Sequence, residues 1–249
     1  MSINRHAAGA PLLLLALFLG AALLRLPGMT RSLGHDEIYT QVIFASRPWL
    51  DILTSYHLPN NHILHTLCVR IASAVFGDPE WSLRLPALLA GLLSVPVLYG
   101  FCRRLTQSGH IAGTATLLLT ISPVHIAFSR QARGYTILLL LGMIHAWALL
   151  NAIWQRHVDA DPPDREWLPW VLAAGAGALA VLTLPSAAFL VGACAFAGAA
   201  LIGVDLPPDR RQAARRHMFL STAFVIGVTA TIYVPHLDEL YSHAERFGV

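Results

Sequence analysis

Charged residues are scarce in this sequence. Asp, Glu, Lys and Arg make up 12% of the 249 residues, whereas hydrophobic residues make up 55%. The mean hydropathy is +0.57. A soluble domain of this length needs more polar surface than that, so the composition argues against an ordinary soluble protein and predicts an integral membrane protein.

Lysine is absent, and all 17 basic residues are arginines. The arginines are scattered and do not form a basic stripe with interleaved aromatic residues, so nucleic acid is not an expected partner. Cysteine is also rare, because only Cys68, Cys102 and Cys194 are present, each in or beside an apolar run. Their wide spacing fits neither a disulfide framework nor a zinc site, which leaves small buried side chains as the simpler interpretation.

Long apolar runs are the main feature that is present. They predict an all-α, polytopic transmembrane helical bundle of about seven spans, at 8–27, 83–102, 110–128, 135–155, 168–184, 186–204 and 217–235. The first run is longer than a signal-peptide core and is interpreted as an uncleaved helix. The fifth and sixth spans form one apolar run, which Pro185 is expected to break into a helical hairpin.

Arginine placement predicts the orientation. The cluster DRRQAARR at 209–216 and the pair Arg103-Arg104 lie in short loops, where positive charge favours the cytoplasmic side. The N-terminus is then inside and 28–82 is a long periplasmic loop, in which DEIYTQVIFAS and NHILHTLCVRIASAVFG are expected to form interfacial helices. We interpret residues 1–249 as a single transmembrane domain and expect it to be the N-terminal portion of a longer fold.

The stretch LGHDEIYTQ places Asp36 and Glu37 side by side just after the first span. Neighbouring side chains on a helix point about 100° apart, so the two acids cannot form one symmetrical pair. One could face a cavity as a general base, with its pKa raised by partial desolvation, while the other holds the backbone or a partner. The alternative is the solvated first turn of a surface helix, where acids are favoured. These residues alone leave both interpretations open.

The stretch HLPNNHILH contains a second group of candidates. His62 and His65 share a helix face at i,i+3 spacing, and His57 precedes a Pro-Asn-Asn turn that could fold it back toward them. Such histidines could hold a metal or orient a phosphate or a sugar. Asn60 or Asn61 could instead simply cap the helix.

The stretch SPVHIAFSRQARGY carries the third group. Arg130 and Arg133 lie at i,i+3 spacing beside Tyr135, and Arg84 is predicted on the same outer side. Guanidinium groups at a membrane boundary suit a phosphate, either of a lipid head group or of a phosphorylated substrate. Interfacial anchoring by Arg and Tyr is the simpler alternative.

The order of these motifs resembles a known family. A first span, DE in a long outer loop, an H-x-P-type turn, LRLPA at the next span and S-P-x-H-x-x-x-S-x-Q-A-R-x-Y resemble the membrane glycosyltransferases of the GT-C superfamily. The nearest branch comprises the bacterial relatives of protein O-mannosyltransferases and of lipid A aminoarabinose transferases. The resemblance covers residues 8 to about 155, and beyond residue 156 it is only a hydrophobic pattern.

The resemblance implies an inverting glycosyltransferase. Its catalytic base falls on Asp36, and Glu37 would support it or contact a metal. The residues that would bind substrate are His57, His62, Arg84, Arg130, Arg133 and Tyr135. No cofactor is required by this pattern, although a divalent cation is a candidate. The chain departs from the family at Gln131, where relatives often carry an acid, and relatives are commonly about twice as long.

The expected reaction moves a sugar from a polyprenyl-phosphate donor to an envelope lipid, glycan or protein. It would take place at the periplasmic face of the bacterial inner membrane. A transporter or flippase of a lipid-linked substrate is one alternative, but charged residues clustered at one outer face favour the enzyme over a mid-membrane transport site. A non-catalytic, truncated homologue is another alternative, in which Asp36 could be changed without consequence.

Overall fold

A computed structural model describes residues 5–54, 61–158 and 166–238. All regular elements in these ranges are helical, and no strand occurs in them. The α-helices in chain order are α1 Arg5–Arg25, α2 His35–Ile38, α3 Trp49–Thr54, α4 Ile63–Phe76, α5 Glu80–Thr106, α6 Gly109–Ile121, α7 Pro123–Ser129, α8 Tyr135–Val158, α9 Leu168–Thr183, α10 Ala187–Val204 and α11 Pro208–Tyr233. A π-helical stretch, Tyr39–Ala45, continues α2, and a short 3₁₀ turn, Val234–His236, follows α11.

Four helices in the described part of the chain are long and apolar enough to cross a membrane. They are Glu80–Thr106, Tyr135–Trp154, Ala187–Val204 and Pro208–His236. The bent pair α6 and α7 supplies a fifth if it is one span, whereas Ala10–Arg25 and Leu168–Thr183 are apolar but shorter. The all-α, polytopic architecture is therefore confirmed with four or five candidate spans, and the predicted number of seven is not.

The predicted third span, 110–128, is not one straight helix. Its two halves, α6 and α7, are bent by 60° at Ser122. Pro123 lacks a backbone N–H, and it disfavours helical geometry in the residue before it, so the helix is interrupted there. Ser122 then caps the new helix, because its hydroxyl accepts a hydrogen bond from the His125 N–H at 3.4 Å. The pattern gave the helical residues correctly but did not predict the bend.

The chain divides into two compact units. Unit 1 comprises Met1–Ile52 and Leu64–Leu140, and unit 2 comprises Leu53–Ile63 and Leu141–Val249. In unit 1, α5 packs against α1, α6 and α7. Gly91 of α5 is required by this packing, because a Cβ there would lie 2.9 Å from the Ser129 Cβ. Small residues at such positions allow membrane helices to approach closely.

Unit 2 contains α9, α10, α11 and the greater part of α8. Both α9 and α10 pack against α11, and the buried core includes Ile153, Trp170 and Ile202. A turn of three residues, 184–186, separates α9 from α10, so the helix break expected at Pro185 is confirmed.

The segment between α1 and α5 is largely helical, as its sequence predicted. One expected surface helix is present as α2 with the π-helical stretch, and the other as α4. Gly77 adopts φ +76° after α4, and Pro79 is the N-cap of α5, as their positions indicated. Val42 and Val75 are exposed apolar side chains on these helices. The periplasmic placement of 28–82 and the single-domain interpretation stay predictions.

We expect Gly91→Ala to destabilise unit 1 by about 1–3 kcal/mol, because the added methyl group must displace Ser129 or separate α5 from α7. Thermal unfolding of the protein in lipid nanodiscs measures this. Gly20→Ala in α1 is the matched control, since nothing lies within 4 Å of its added Cβ. Equal melting temperatures for the two variants would contradict the packing described for Gly91.

Candidate active site

The two adjacent acids at the start of α2 face different environments. Gly34 is the N-cap residue, and its N–H donates to Glu37 Oε2 at 2.8 Å. The Glu37 side chain is only 8% exposed, whereas the Asp36 side chain is 62% exposed. The two carboxylates therefore do not form one paired site, as expected from their angular separation on a helix.

Glu37 accepts four hydrogen bonds. Arg84 donates from Nε to Oε1 and from Nη2 to Oε2, both at 2.8 Å. The N–H groups of Gly34 and Ala132 add bonds of 2.8 and 2.7 Å. Burial alone would raise the pKa of Glu37, but these hydrogen bonds and the positive charge of Arg84 together outweigh it and hold that pKa below its ordinary value. Glu37 is therefore an ionised, fully bonded structural carboxylate.

Arg84 is buried and uses all three of its nitrogens within the protein. Besides its bonds to Glu37, it donates to carbonyls of the loop after α1: from Nη1 to Gly28 (3.2 Å), Met29 (2.9 Å) and Arg31 (2.7 Å), and from Nη2 to Ser32 (3.1 Å). The guanidinium of Arg84 thus fastens the loop to α5. Each nitrogen of Arg84 has an acceptor within the protein, and the phosphate contact expected of Arg84 stays a prediction.

Asp36 lies between two basic side chains. Its carboxylate is 4.0 Å from His35 Nδ1 and 4.0 Å from Arg133 Nη2. The His35 ring packs on Tyr39 with centroids 4.8 Å apart. At these distances the oxygens of Asp36 interact electrostatically but are not held by short hydrogen bonds, and they stay accessible to a ligand.

Arg133 and Tyr135 lie next to each other where α8 begins. Arg133 Nη2 donates to the Tyr135 hydroxyl at 3.4 Å, and its guanidinium carbon is 5.6 Å from the centre of that ring. The Arg133 side chain is 8% exposed. The loop that carries it also presents the Ala132 N–H to Glu37. The sequence motifs DE and QARGY, distant in the chain, therefore meet at one site.

Arg130 contacts α1 instead of Asp36. Its Nη2 donates to the carbonyl of Leu24, in the last turn of α1. A basic side chain at a helix C-terminus bonds the carbonyls that lack a helical partner there. The contact gives Arg130 a structural role, and the expected phosphate contact is not tested.

The predicted roles of the histidines stay predictions. His57 lies outside the described residues. His62 is buried, but it belongs to unit 2, whereas Asp36 belongs to unit 1, so its convergence on the acid stays a prediction. Among the residues that the structure describes, no group of three or more His, Cys, Asp or Glu side chains is arranged to hold a metal ion.

Arg25 is a buried charged residue near the site that the sequence pattern did not single out. It is fully buried at the end of α1, where it donates to Ser129 Oγ at 3.2 Å and to His125 Nδ1 at 2.7 Å. Its terminal nitrogens also donate to the carbonyls of Ala21, Leu119 and Thr120. A guanidinium has no acceptor, so His125 accepts at Nδ1 as a neutral ring. The i,i+4 spacing of His125 and Ser129 after Pro123 was the available signal.

We expect Glu37→Gln to lower stability by about 3–5 kcal/mol at neutral pH, because Arg84 is left buried without a carboxylate. The pKa of Glu37 is lower in the folded state than in the unfolded state. Its ionised carboxylate therefore stabilises the fold above the unfolded-state pKa, and this stabilisation is lost as pH falls through the folded-state pKa. The stability difference between wild type and variant should therefore disappear in acid. Unfolding in nanodiscs across pH measures it.

The control for Glu37→Gln is Asp51→Asn, which changes an exposed acid in the first turn of α3 and should lower stability by no more than about 1 kcal/mol. Equal stability of wild type and Glu37→Gln at all pH values would contradict the role assigned to the Glu37–Arg84 pair.

Comparison with known proteins supplies the family. The family described as dolichyl-phosphate-mannose-protein mannosyltransferase matches residues 60–234, a range that includes Arg84 and Arg133 and begins after Asp36 and Glu37. No curated protein and no solved structure matches the chain. Since the matched range covers more than half of the sequence, this protein belongs to the dolichyl-phosphate-mannose-protein mannosyltransferase family, of GT-C type, and is a multi-pass membrane glycosyltransferase that uses a lipid-linked sugar.

Proposed function

We propose that the protein is an inverting glycosyltransferase with Asp36 as its general base. The observation that carries this proposal is the contrast between the two adjacent acids. Glu37 is ionised and saturated by hydrogen bonds, so it has no free lone pair directed at a substrate. Asp36 is accessible and lies 4.0 Å from the cationic Arg133. A free carboxylate next to a cation suits deprotonation beside a phosphate leaving group.

We propose the following reaction for these residues. Asp36 removes the proton of an acceptor hydroxyl as its oxygen attacks the anomeric carbon of a polyprenyl-phosphate sugar. A new glycosidic C–O bond forms on the face opposite the breaking C–O bond, which inverts the configuration. The polyprenyl phosphate leaves with the bonding electron pair, and Arg133 stabilises its negative charge. Glu37 and Arg84 act as positioning residues, because they fix the loop that carries Asp36.

The location proposed for this chemistry is the periplasmic face of the bacterial inner membrane. Arg84 lies near the start of α5 and the pair Arg103-Arg104 near its end. The helix rises about 28 Å from residue 84 to residue 103, close to the thickness of the hydrocarbon core. The site and this basic pair then lie on opposite membrane faces, and arginine-rich short loops favour the cytoplasmic one.

The substrates are proposed from the same chemistry. The donor is a polyprenyl-phosphate sugar, and the acceptor is a hydroxyl of an envelope lipid, glycan or protein. The Tyr135 hydroxyl, which accepts from Arg133, would keep that guanidinium oriented toward the phosphate. His57, His62 and Arg130 remain predicted substrate-binding residues.

We expect Asp36→Asn to lower sugar transfer by at least about 100-fold, because an amide cannot accept the proton of the attacking hydroxyl. The measurement uses membranes with labelled polyprenyl-phosphate sugars at matched expression. Asp51→Asn is the control and should transfer like wild type. Transfer by Asp36→Asn equal to wild type would remove Asp36 from the mechanism.

Arg133→Ala is expected to lower kcat by about 100-fold, with a smaller effect on KM, because the charge of the leaving phosphate develops mainly in the transition state. Arg133→Lys should recover part of this loss, since it restores the charge but not the planar fork. If both variants changed only KM, the assignment of Arg133 to the leaving group would be wrong.

A further inference from the structure

A groove of about 700 Å³ lies in unit 1, on the helices between α1 and α5. Its walls are formed by the π-helical stretch, by residues of α3 and α4, and by the turn before α5. Its lining residues are Gln41, Val42, Ala45, Ser46, Trp49, Arg70, Ser73, Ala74 and Asp78. The mechanism proposed above uses none of them.

The groove combines an aromatic surface with a buried polar atom that lacks a protein partner. Trp49 is 48% exposed, and the Arg70 guanidinium carbon lies 5.1 Å from the centre of its ring. Arg70 Nη1 donates to the Ala45 carbonyl at 2.8 Å, but its buried Nε has no hydrogen-bond partner among the described residues. A buried donor of this kind is normally satisfied, which points to a ligand or water that brings an acceptor.

The charge balance indicates the class of ligand. Arg70 and Asp78 are the charged lining residues, so the groove carries one group of each sign and does not favour an anion such as phosphate. Gln41 adds an amide, and Ser46 and Ser73 add hydroxyls. Hydrogen-bonding side chains around a half-exposed aromatic ring suit a molecule with many hydroxyls and apolar C–H faces, namely a neutral saccharide.

The groove is close to the proposed base along one continuous helix. Asp36 in α2 and Gln41 in the π-helical stretch are five residues apart, which is about 7 Å of helical rise. The Thr40 hydroxyl also donates to the Asp36 carbonyl at 3.1 Å, within this same helix. π-helical segments are rare and occur frequently at functional sites.

We infer that this groove binds a neutral saccharide portion of the acceptor, and that Trp49, Gln41, Arg70 and Asp78 recognise it. The inference rests on the proposed function and narrows its acceptor to a glycan or glycolipid. The saccharide bound in the groove would present a neighbouring hydroxyl to Asp36. Envelope proteins without an attached glycan would then be poor acceptors.

The test measures binding separately from transfer. Full-length protein in nanodiscs is applied to an array of neutral oligosaccharides (mannans, glucans and chitooligosaccharides) with sialylated oligosaccharides as acidic comparators. We expect retention on neutral oligosaccharides and a loss of about tenfold in affinity for Trp49→Ala and for Asp78→Asn. Leu50→Ala and Asp51→Asn are matched controls, because both side chains are exposed on α3 and neither lines the groove.

Three results of the binding assay would overturn the inference: no retention of any neutral oligosaccharide, equal losses of affinity in groove and control variants, or competition by phosphatidylethanolamine vesicles, which would identify a lipid head group instead. Asp36→Asn separates the two proposals, since it should keep saccharide binding while losing transfer. If the wild-type protein bound saccharide but transferred no sugar, the proposed function would be wrong and the inference of a saccharide-binding groove would still hold. If Trp49→Ala and Asp78→Asn did not alter sugar transfer, the role of the groove in acceptor binding would be wrong and the proposed function would still hold.

Discussion

The bidentate pair between Glu37 and Arg84 is the interaction on which the site depends. It joins α2 to α5 across 47 residues of sequence, and the remaining donors of Arg84 hold the loop that follows α1. Both side chains are buried, so their desolvation cost must be offset by complete hydrogen bonding, which the four bonds to Glu37 provide. Such a pair specifies one loop conformation, and that conformation directs Asp36 outward.

A second buried arginine supports the same region from the other side. Arg25 ties the end of α1 to the bend between α6 and α7, through His125 and Ser129. The loop after α7 then supplies the Ala132 N–H to Glu37 and carries Arg133. Arg84 and Arg25 thus hold the two sides of a site whose proposed reactive groups, Asp36 and Arg133, lie only 4.0 Å apart. Preorganisation of this kind lowers the cost of aligning reactants.

The sequence predicted the helices and the meeting of the candidate motifs better than it predicted the role of each site residue. Apolar periodicity located the helices, and turn chemistry at Gly77 and Pro185 located their ends. The 100° angle between neighbouring side chains on a helix separated Asp36 from Glu37 but did not show which acid is buried. That choice depends on Arg84 and on the backbone N–H of Ala132, which is 95 residues away in the sequence. The structural contacts of Arg84 were missed for the same reason, since no local pattern reveals the loop carbonyls to which it donates. Arg25 was missed because an arginine that ends an apolar helix looks like an interfacial anchor.

The most direct test of this account is carboxyl-directed labelling of the wild-type protein in nanodiscs with a water-soluble carbodiimide, read by peptide mass spectrometry alongside residual sugar transfer. The account predicts rapid modification of Asp36, protection of the adjacent Glu37, and loss of transfer in proportion to the label on Asp36. Equal modification of both acids, or full transfer by protein that is fully labelled at Asp36, would contradict it.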